Sequence, residues 1–319
     1  MNWKDPQSMT VPKLNRPLVV AVGAFDENSG GAIVLHKLVD SLRRAGVSAY
    51  AYPPLKPYPN SMPAWKRRLK GLHRHITKVA KSAKHFSHPS MDVPLAPLSV
   101  LKQDPIVVYP EVIAGNPLGA SSVVRWILFT PGAHTGQGVE IDRGAEEIFY
   151  FQKAFIEGHD WIPPENELRL QWIRSDIYYD QQQENRSGSC RMQRKGALLN
   201  INTSDAYRTA TPLDGLPHQE IAAIFNKSER FYCDDPHTMY STYAVLCGCI
   251  AVVTPVPGLS EADWRPEQER WGIAYGDKPD QIEIALRTKH LMKETLDALQ
   301  GVEEQQVEHF IATLAKRFE

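Results

Sequence analysis

Short, unbroken apolar runs alternate along this chain with stretches of helical periodicity, and that alternation limits the available folds more than any other feature. Pro17–Gly23 reads PLVVAVG, Pro105–Tyr109 reads PIVVY and Cys249–Thr254 reads CIAVVT. A run without polar alternation is a strand buried on both faces, the environment of a parallel sheet. After the first run come Asn28-Ser-Gly-Gly and a helix pattern of Ile33, Val34, Leu38, Val39 and Leu42, closed by Gly46. Further strands are expected at Val47–Tyr52, Glu147–Phe151, Leu168–Tyr179, Cys190–Arg194 and Glu229–Cys233. Helices are expected at Pro117–Trp126, Pro217–Asn226, Asp235–Cys247, Pro279–Lys289 and Leu291–Phe318, the last weakly divided near Gly301. Strands alternating with helices predict a doubly wound α/β architecture. A length of 319 residues suits two domains, and Trp161-Ile-Pro-Pro is the expected hinge, because two prolines continue neither a helix nor a central strand.

Composition excludes several classes. With 42% hydrophobic and 23% charged residues, the chain is neither disordered nor low-complexity. No apolar run approaches the roughly 20 residues that span a bilayer, and Leu18–Val22 is too short for a secretion-signal core. Four cysteines without metal-ligand spacing make neither a disulfide scaffold nor a zinc site, so a reduced, cytoplasmic compartment is expected. Cys247 and Cys249 read as buried structural thiols. The net charge of −1 hides an asymmetry. From Ser41 to Met91 there is no Asp or Glu but eleven Lys and Arg. Within that window Trp65, Leu69, Leu72, Ile76, Val79, Ala83 and Phe86 form one apolar stripe on a basic helix. Such a block attracts phosphates or an anionic surface. No nucleic-acid fold motif accompanies it, so nucleic acid is not the expected partner.

The predicted helix beginning at Asp235 carries the most chemistry. Asp235 stands at the N-cap, Pro236 at the first helical position, and Thr238 and Ser241 add hydroxyls one turn apart. A helix start beyond a strand's C-terminal end suits a phosphate; the alternative is an ordinary structural cap. Gly30 and Gly31 allow close backbone approach to a ligand, although their spacing is not that of a dinucleotide fingerprint.

The segment Phe231-Tyr-Cys-Asp-Asp-Pro-His-Thr-Met-Tyr-Ser-Thr-Tyr-Ala-Val-Leu-Cys-Gly-Cys-Ile resembles the donor-site segment of bacterial GT-B glycosyltransferases of O-antigen and capsule assembly. The likeness continues through Pro255–Trp264 and Trp271-Gly-Ile-Ala-Tyr-Gly. Ser29-Gly-Gly-Ala-Ile-Val-Leu-His-Lys-Leu is similar to the family's glycine loop and first helix. Tyr109-Pro-Glu-Val-Ile-Ala-Gly-Asn-Pro-Leu, Val124-Arg-Trp and Pro131-Gly are similar to its acceptor-side region.

The resemblance implies two Rossmann-like doubly wound domains facing a cleft. The first would cover 1–163 on the acceptor side, with a basic helical insertion near 60–90. The second, 164–300, would bind a nucleotide sugar, and a final helix, 301–319, would return to the first. The implied activity is transfer of a sugar from a nucleotide-sugar donor to a hydroxyl of a lipid-linked surface-polysaccharide acceptor. It would take place in the cytoplasm, with the inner face of the plasma membrane as a candidate partner. Arg194 and Lys195 match the family's basic step and would compensate leaving-group charge in place of a metal; their alternative is a solvated surface pair. Tyr240 falls with Asp235, Thr238 and Ser241 in the donor segment, and Glu261 would take the ribose hydroxyls. The family's two glutamates seven residues apart are not reproduced, because the Asp235 region stands at the first position. Glu111, Asp26 and His134 are three unranked candidates for the catalytic base, and Tyr109 and Asn116 belong to the acceptor side. No cofactor beyond the co-substrate is expected. Two other readings stay open: a non-catalytic nucleotide- or sugar-binding protein on the same scaffold, and a membrane- or polyanion-binding adaptor acting through residues 64–86.

Overall fold

The computed structural model describes residues 14–53, 90–133, 144–194, 196 and 204–319, with 63, 66, 69, 70, 73, 77 and 86 individually. The chain divides into two compact units, Met1–Trp172 with Gly301–Glu319, and Ile173–Gln300.

In the first unit, strands β1 (Leu18–Ala21), β2 (Ala49–Tyr52), β3 (Ile106–Pro110), β4 (Ser122–Ile127) and β5 (Glu146–Tyr150) form one sheet in the order β2-β1-β3-β4-β5. Every pair is parallel. Alternate residues face opposite sides. Leu18 and Val20 join a core with Leu35, Leu38 and Leu42 of α1 (Gly30–Arg44). Val19 and Ala21 pack on the other face with Ala96, Val100 and Val107. Ser29 caps α1, accepting from the Ala32 N–H at 3.4 Å, and Arg43 and Arg44 complement the dipole in its last turn. Gly46, at φ +82°, closes it, with Val47 N–H donating to Leu42 C=O and Gly46 N–H to Arg43 C=O, both at 2.9 Å. A short helix α2 (Leu98–Leu101) precedes β3.

The second unit repeats the plan. Strands β6 (Ser189–Met192), β7 (Thr211–Pro212), β8 (Arg230–Cys233), β9 (Ile250–Val253) and β10 (Ile273–Tyr275) run parallel in the order β10-β9-β8-β6-β7. Helices α3 (Asp205–Thr209), α4 (His218–Lys227), α5 (Tyr240–Leu246), α6 (Glu261–Trp264) and α7 (Pro279–Thr288) connect them. Helix α8 (Met292–Phe318) starts in this unit and ends in the first. Its residues Val307, Phe310, Ile311 and Leu314 belong to the first unit's core. In both sheets the first strand lies between the second and the third, so each has a topological switch point, at β1/β3 and β6/β8, where doubly wound sheets take ligands.

Several expectations fail for physical reasons. Pro117–Trp126 is not a helix; its second half is β4, whose apolar run is interrupted by the fully buried Arg125. Leu168–Tyr179 is not a strand. Leu168 and Leu170 sink into the first unit's core, where the Leu168 C=O accepts from the Trp126 indole N–H at 3.2 Å. Helix α8 runs unbroken through Gly301. Trp161-Ile-Pro-Pro lies inside the first unit, with Ile162 buried. Of the apolar stripe on the basic segment, only two members are described: Phe86 is buried against His36, whereas Leu69 is 60% exposed.

Candidate functional site

At the C-terminal edge of the first sheet, most polar groups are committed to the fold. The Tyr109 hydroxyl donates to Asn116 Oδ1 at 3.1 Å and accepts from the Leu118 N–H at 2.9 Å. The Asn116 amide in turn donates to the Ala120 C=O. Burial pushes the Tyr109 phenol up to about 12. Arg125 lies over the Tyr109 ring, 5.4 Å from its centroid. Its guanidinium pairs with Glu146 and donates to the Ile113 C=O at 2.5 Å and the Gly115 C=O at 3.0 Å. Tyr109 and Asn116, expected on the acceptor side, therefore serve to hold the 111–120 loop. Glu111 is only 4% exposed, and its Oε2 accepts from the Leu128 N–H at 2.9 Å. Asp26 is exposed in the segment between β1 and α1, with Oδ1 accepting from the Asn28 N–H at 2.9 Å. Gly30 and Gly31 open α1 beside it, and a Cβ at either would meet nothing within 4 Å. His134 lies outside the described residues.

The second sheet differs at the same place. Beyond β6 the chain turns through Gln193–Gly196, where the Asp214 carboxylate accepts from the N–H groups of Gln193 at 3.0 Å and Arg194 at 3.1 Å. Arg194 takes φ +48°, and its guanidinium lies 5.3 Å over the Tyr240 ring centroid. Gly196 packs directly on β8's exit: a Cβ there would come within 2.4 Å of Asp234 Cβ and 2.6 Å of its carbonyl carbon, so only hydrogen fits. Lys195 lies outside the described residues.

The donor segment departs from the expected helix. Helix α5 begins at Tyr240, with no side-chain hydrogen bond at its N-cap. Asp235 instead accepts from the His237 N–H at 3.1 Å, within a turn. The Pro236 C=O is held from two sides, by the Trp264 indole N–H at 2.8 Å and Arg265 at 2.7 Å, which keeps residues 236–239 out of the helix. Thr238 Oγ1 accepts from the Tyr240 N–H at 3.4 Å, and the fully buried Ser241 hydroxyl donates to the Thr238 C=O at 3.0 Å. Both hydroxyls thus shape this turn.

Beside it, at the ends of β9 and β10, lies a cavity of about 470 Å³ lined by Pro255, Glu261, Tyr275–Lys278, Asp280 and Gln281. Glu261 follows the Ser260 cap of α6. One of its carboxylate oxygens pairs with Arg270, and the other accepts from Gln281 Nε2 at 3.0 Å. Gln281 Oε1 also accepts from the Tyr275 N–H at 3.2 Å. A carboxylate offers about four lone-pair sites, so two contacts leave room for ligand hydroxyls. Sequence reasoning missed Asp214, Arg270 and Gln281. Their partners are distant in the chain, and only the strand-Gly pattern of Trp271–Gly276 signalled this edge.

Cys247 and Cys249 are buried, and burial pushes the Cys247 thiol up to about 12. Among the described residues, no cluster of His, Cys, Asp and Glu could hold a metal ion, and no helix is long and apolar enough to cross a membrane.

No protein-family model and no curated protein match the chain. Solved structures do. Sucrose-phosphate synthase from Thermosynechococcus elongatus is 10% identical over 95% of this chain and 98% of its own, with a TM-score of 0.40. Trehalose-6-phosphate synthase from Burkholderia multivorans is 10% identical over 96% and 100%, with a TM-score of 0.45. WaaG, a glycosyltransferase involved in lipopolysaccharide biosynthesis, is 11% identical over 93% and 95%, with a TM-score of 0.37. At these identities and TM-scores no residue of this chain takes a role from them.

Proposed function

We propose that this chain is a glycosyltransferase that moves a sugar from a nucleotide-sugar donor to a hydroxyl of a lipid-linked surface-polysaccharide acceptor. The observation that carries the reading is the second sheet's switch point, where the Arg194 turn and the Asp234–Tyr240 loop lock together through Gly196. In this reading Arg194 and Lys195 meet the diphosphate charge without a metal, and they stabilise the leaving group as the sugar–phosphate bond breaks. Glu261, at the wall of the adjoining cavity, accepts the ribose hydroxyls. Asp26 is the acid with solvent access, which favours it over the enclosed Glu111 as the base that deprotonates the acceptor. Exposed Leu69, among exposed Lys66, Lys70 and His73, supports contact between the basic segment and the anionic cytoplasmic membrane face that would carry such an acceptor.

The test is a thermal-shift screen against UDP, GDP, CDP and dTDP and their sugars. A ligand that binds only the native state raises the melting temperature by linkage. One nucleotide family is expected to stabilise the protein with or without EDTA, and Arg194→Ala and Lys195→Ala each to reduce that shift. Absence of a shift with every nucleotide would overturn the reading. With a donor in hand, Asp26→Asn is expected to cut turnover by about 10²–10⁴-fold with nucleotide binding intact, whereas Glu111→Gln leaves turnover closer to wild type.

A further inference from the structure

Arg194 stands in a backbone conformation that L-residues rarely adopt, at φ +48°, on a turn fixed by the Asp214 carboxylate. What fixes the guanidinium itself is a separate matter. It lies over the ring of Tyr240, which is only 6% exposed. That ring is packed in turn by three aromatic neighbours. His218, the first residue of α4, stacks on it at 5.7 Å and an interplanar angle of 18°. Tyr178 and Tyr243 meet it edge-on, both at 88°, with centroids 6.4 and 5.8 Å away. Tyr178 and Tyr243 stack on each other at 4.2 Å and 3°, and the Tyr178 hydroxyl is hydrogen-bonded to His218 Nδ1 at 2.5 Å. The Tyr240 ring is therefore braced by three aromatic side chains. A cation held over its face inherits that rigidity, because a guanidinium is drawn to the negative face of an aromatic ring.

We propose that Tyr240, braced by His218 and Tyr178, is a positioning residue that holds the Arg194 guanidinium ready at the edge of the second sheet, and is not itself a ligand contact. The ligand Arg194 then meets, a diphosphate, rests on the reading above; the positioning does not. A preorganised cation spends less side-chain entropy on binding than a free one.

Two measurements test this. The first needs no ligand. The Arg194 Nε–H resonance, assigned by its absence in Arg194→Lys, is expected upfield of ordinary arginines from the Tyr240 ring current. It should stay there in Tyr240→Phe and return to the ordinary range in Tyr240→Leu. An unshifted Arg194 resonance in the wild-type protein overturns the proposal even if every variant of this buried residue fails to fold. The second uses inorganic pyrophosphate as the probe. Tyr240→Leu is expected to weaken it roughly threefold to tenfold, Tyr240→Phe to restore it, and Arg194→Ala to add little on top of Tyr240→Leu, since the two act as one unit. Where Arg194→Ala itself weakens pyrophosphate, wild-type affinity in a folded Tyr240→Leu protein also overturns the positioning role. If Arg194→Ala alone leaves pyrophosphate affinity unchanged, the diphosphate reading fails, and the resonance position still decides for or against the platform.

Discussion

The two sheets share one strand order and one switch-point geometry, yet their C-terminal edges use polar chemistry in opposite ways. In the first unit, Tyr109, Asn116, Arg125 and Glu146 bond to one another or to the loop carbonyls, and Tyr109 and Arg125 are buried. In the second, Asp214 accepts from the turn's backbone N–H groups, the Arg194 guanidinium lies over the Tyr240 ring, and Glu261 lines a cavity. Topology decides where an edge lies. Whether its polar groups are consumed by hydrogen bonds within the fold decides what that edge can bind.

The largest expected effect tests the committed character of the first edge. Arg125→Met leaves the Glu146 carboxylate buried and unpaired, and should cost about 3–5 kcal/mol in denaturant unfolding. Adding Glu146→Leu should recover much of that loss, because a well-packed apolar pair often replaces a buried ion pair at no net cost. If Arg125→Met alone were neutral, the contrast between the edges would collapse. Next come the glycines. Gly196→Ala forces a methyl into the Asp234 backbone and should cost about 1–3 kcal/mol. Gly31→Ala has open space and sits in the first turn of a helix, so it should raise stability by about 0.5–1 kcal/mol. Melting temperatures of the two variants measure how tightly each edge is packed.

The smallest effect concerns pH. Glu303 on α8 accepts from the Gln171 N–H and lies 3.9 Å from Lys37, yet burial dominates and raises its pKa above the ordinary 4.5. A carboxyl with a raised native pKa contributes stability that is full below its unfolded pKa and is lost as pH rises through the native one. Glu303→Gln should therefore gain stability relative to wild type on going from pH 4 to pH 8. A difference that stays flat across that range would show that Lys37 and the Gln171 N–H cancel the burial cost.

How much of this was legible in the sequence varies with the kind of contact. LVVA, IVVYP and IAVV announce their strands, because buried parallel strands need no polar alternation. SVVRWI hid from the same rule, since one buried arginine, satisfied by residues 10 to 21 positions away, broke its run. Asp235-Pro-His-Thr has the composition of a helix start, but the local signal is overridden by Trp264 and Arg265, which hold the Pro236 carbonyl. Arg194 was singled out by resemblance, and Glu261 by resemblance together with its place after the 249–254 run and Ser260. Gln281, Arg270 and His218 were not found, because a side chain that acts by orienting another leaves no spacing to read.

The path of α8 has a consequence in time. The residues of the second unit, 173–300, lie between the two segments of the first. On the ribosome all five strands of the second sheet are therefore synthesised before Val307, Phe310, Ile311 and Leu314, which the first unit needs to close its core. The first unit is begun first and completed last. Until α8 arrives, the face of its sheet that α8 covers stays exposed to solvent and chaperones, so substitutions at Phe310 or Leu314 should lower the yield of folded protein out of proportion to their distance from either edge.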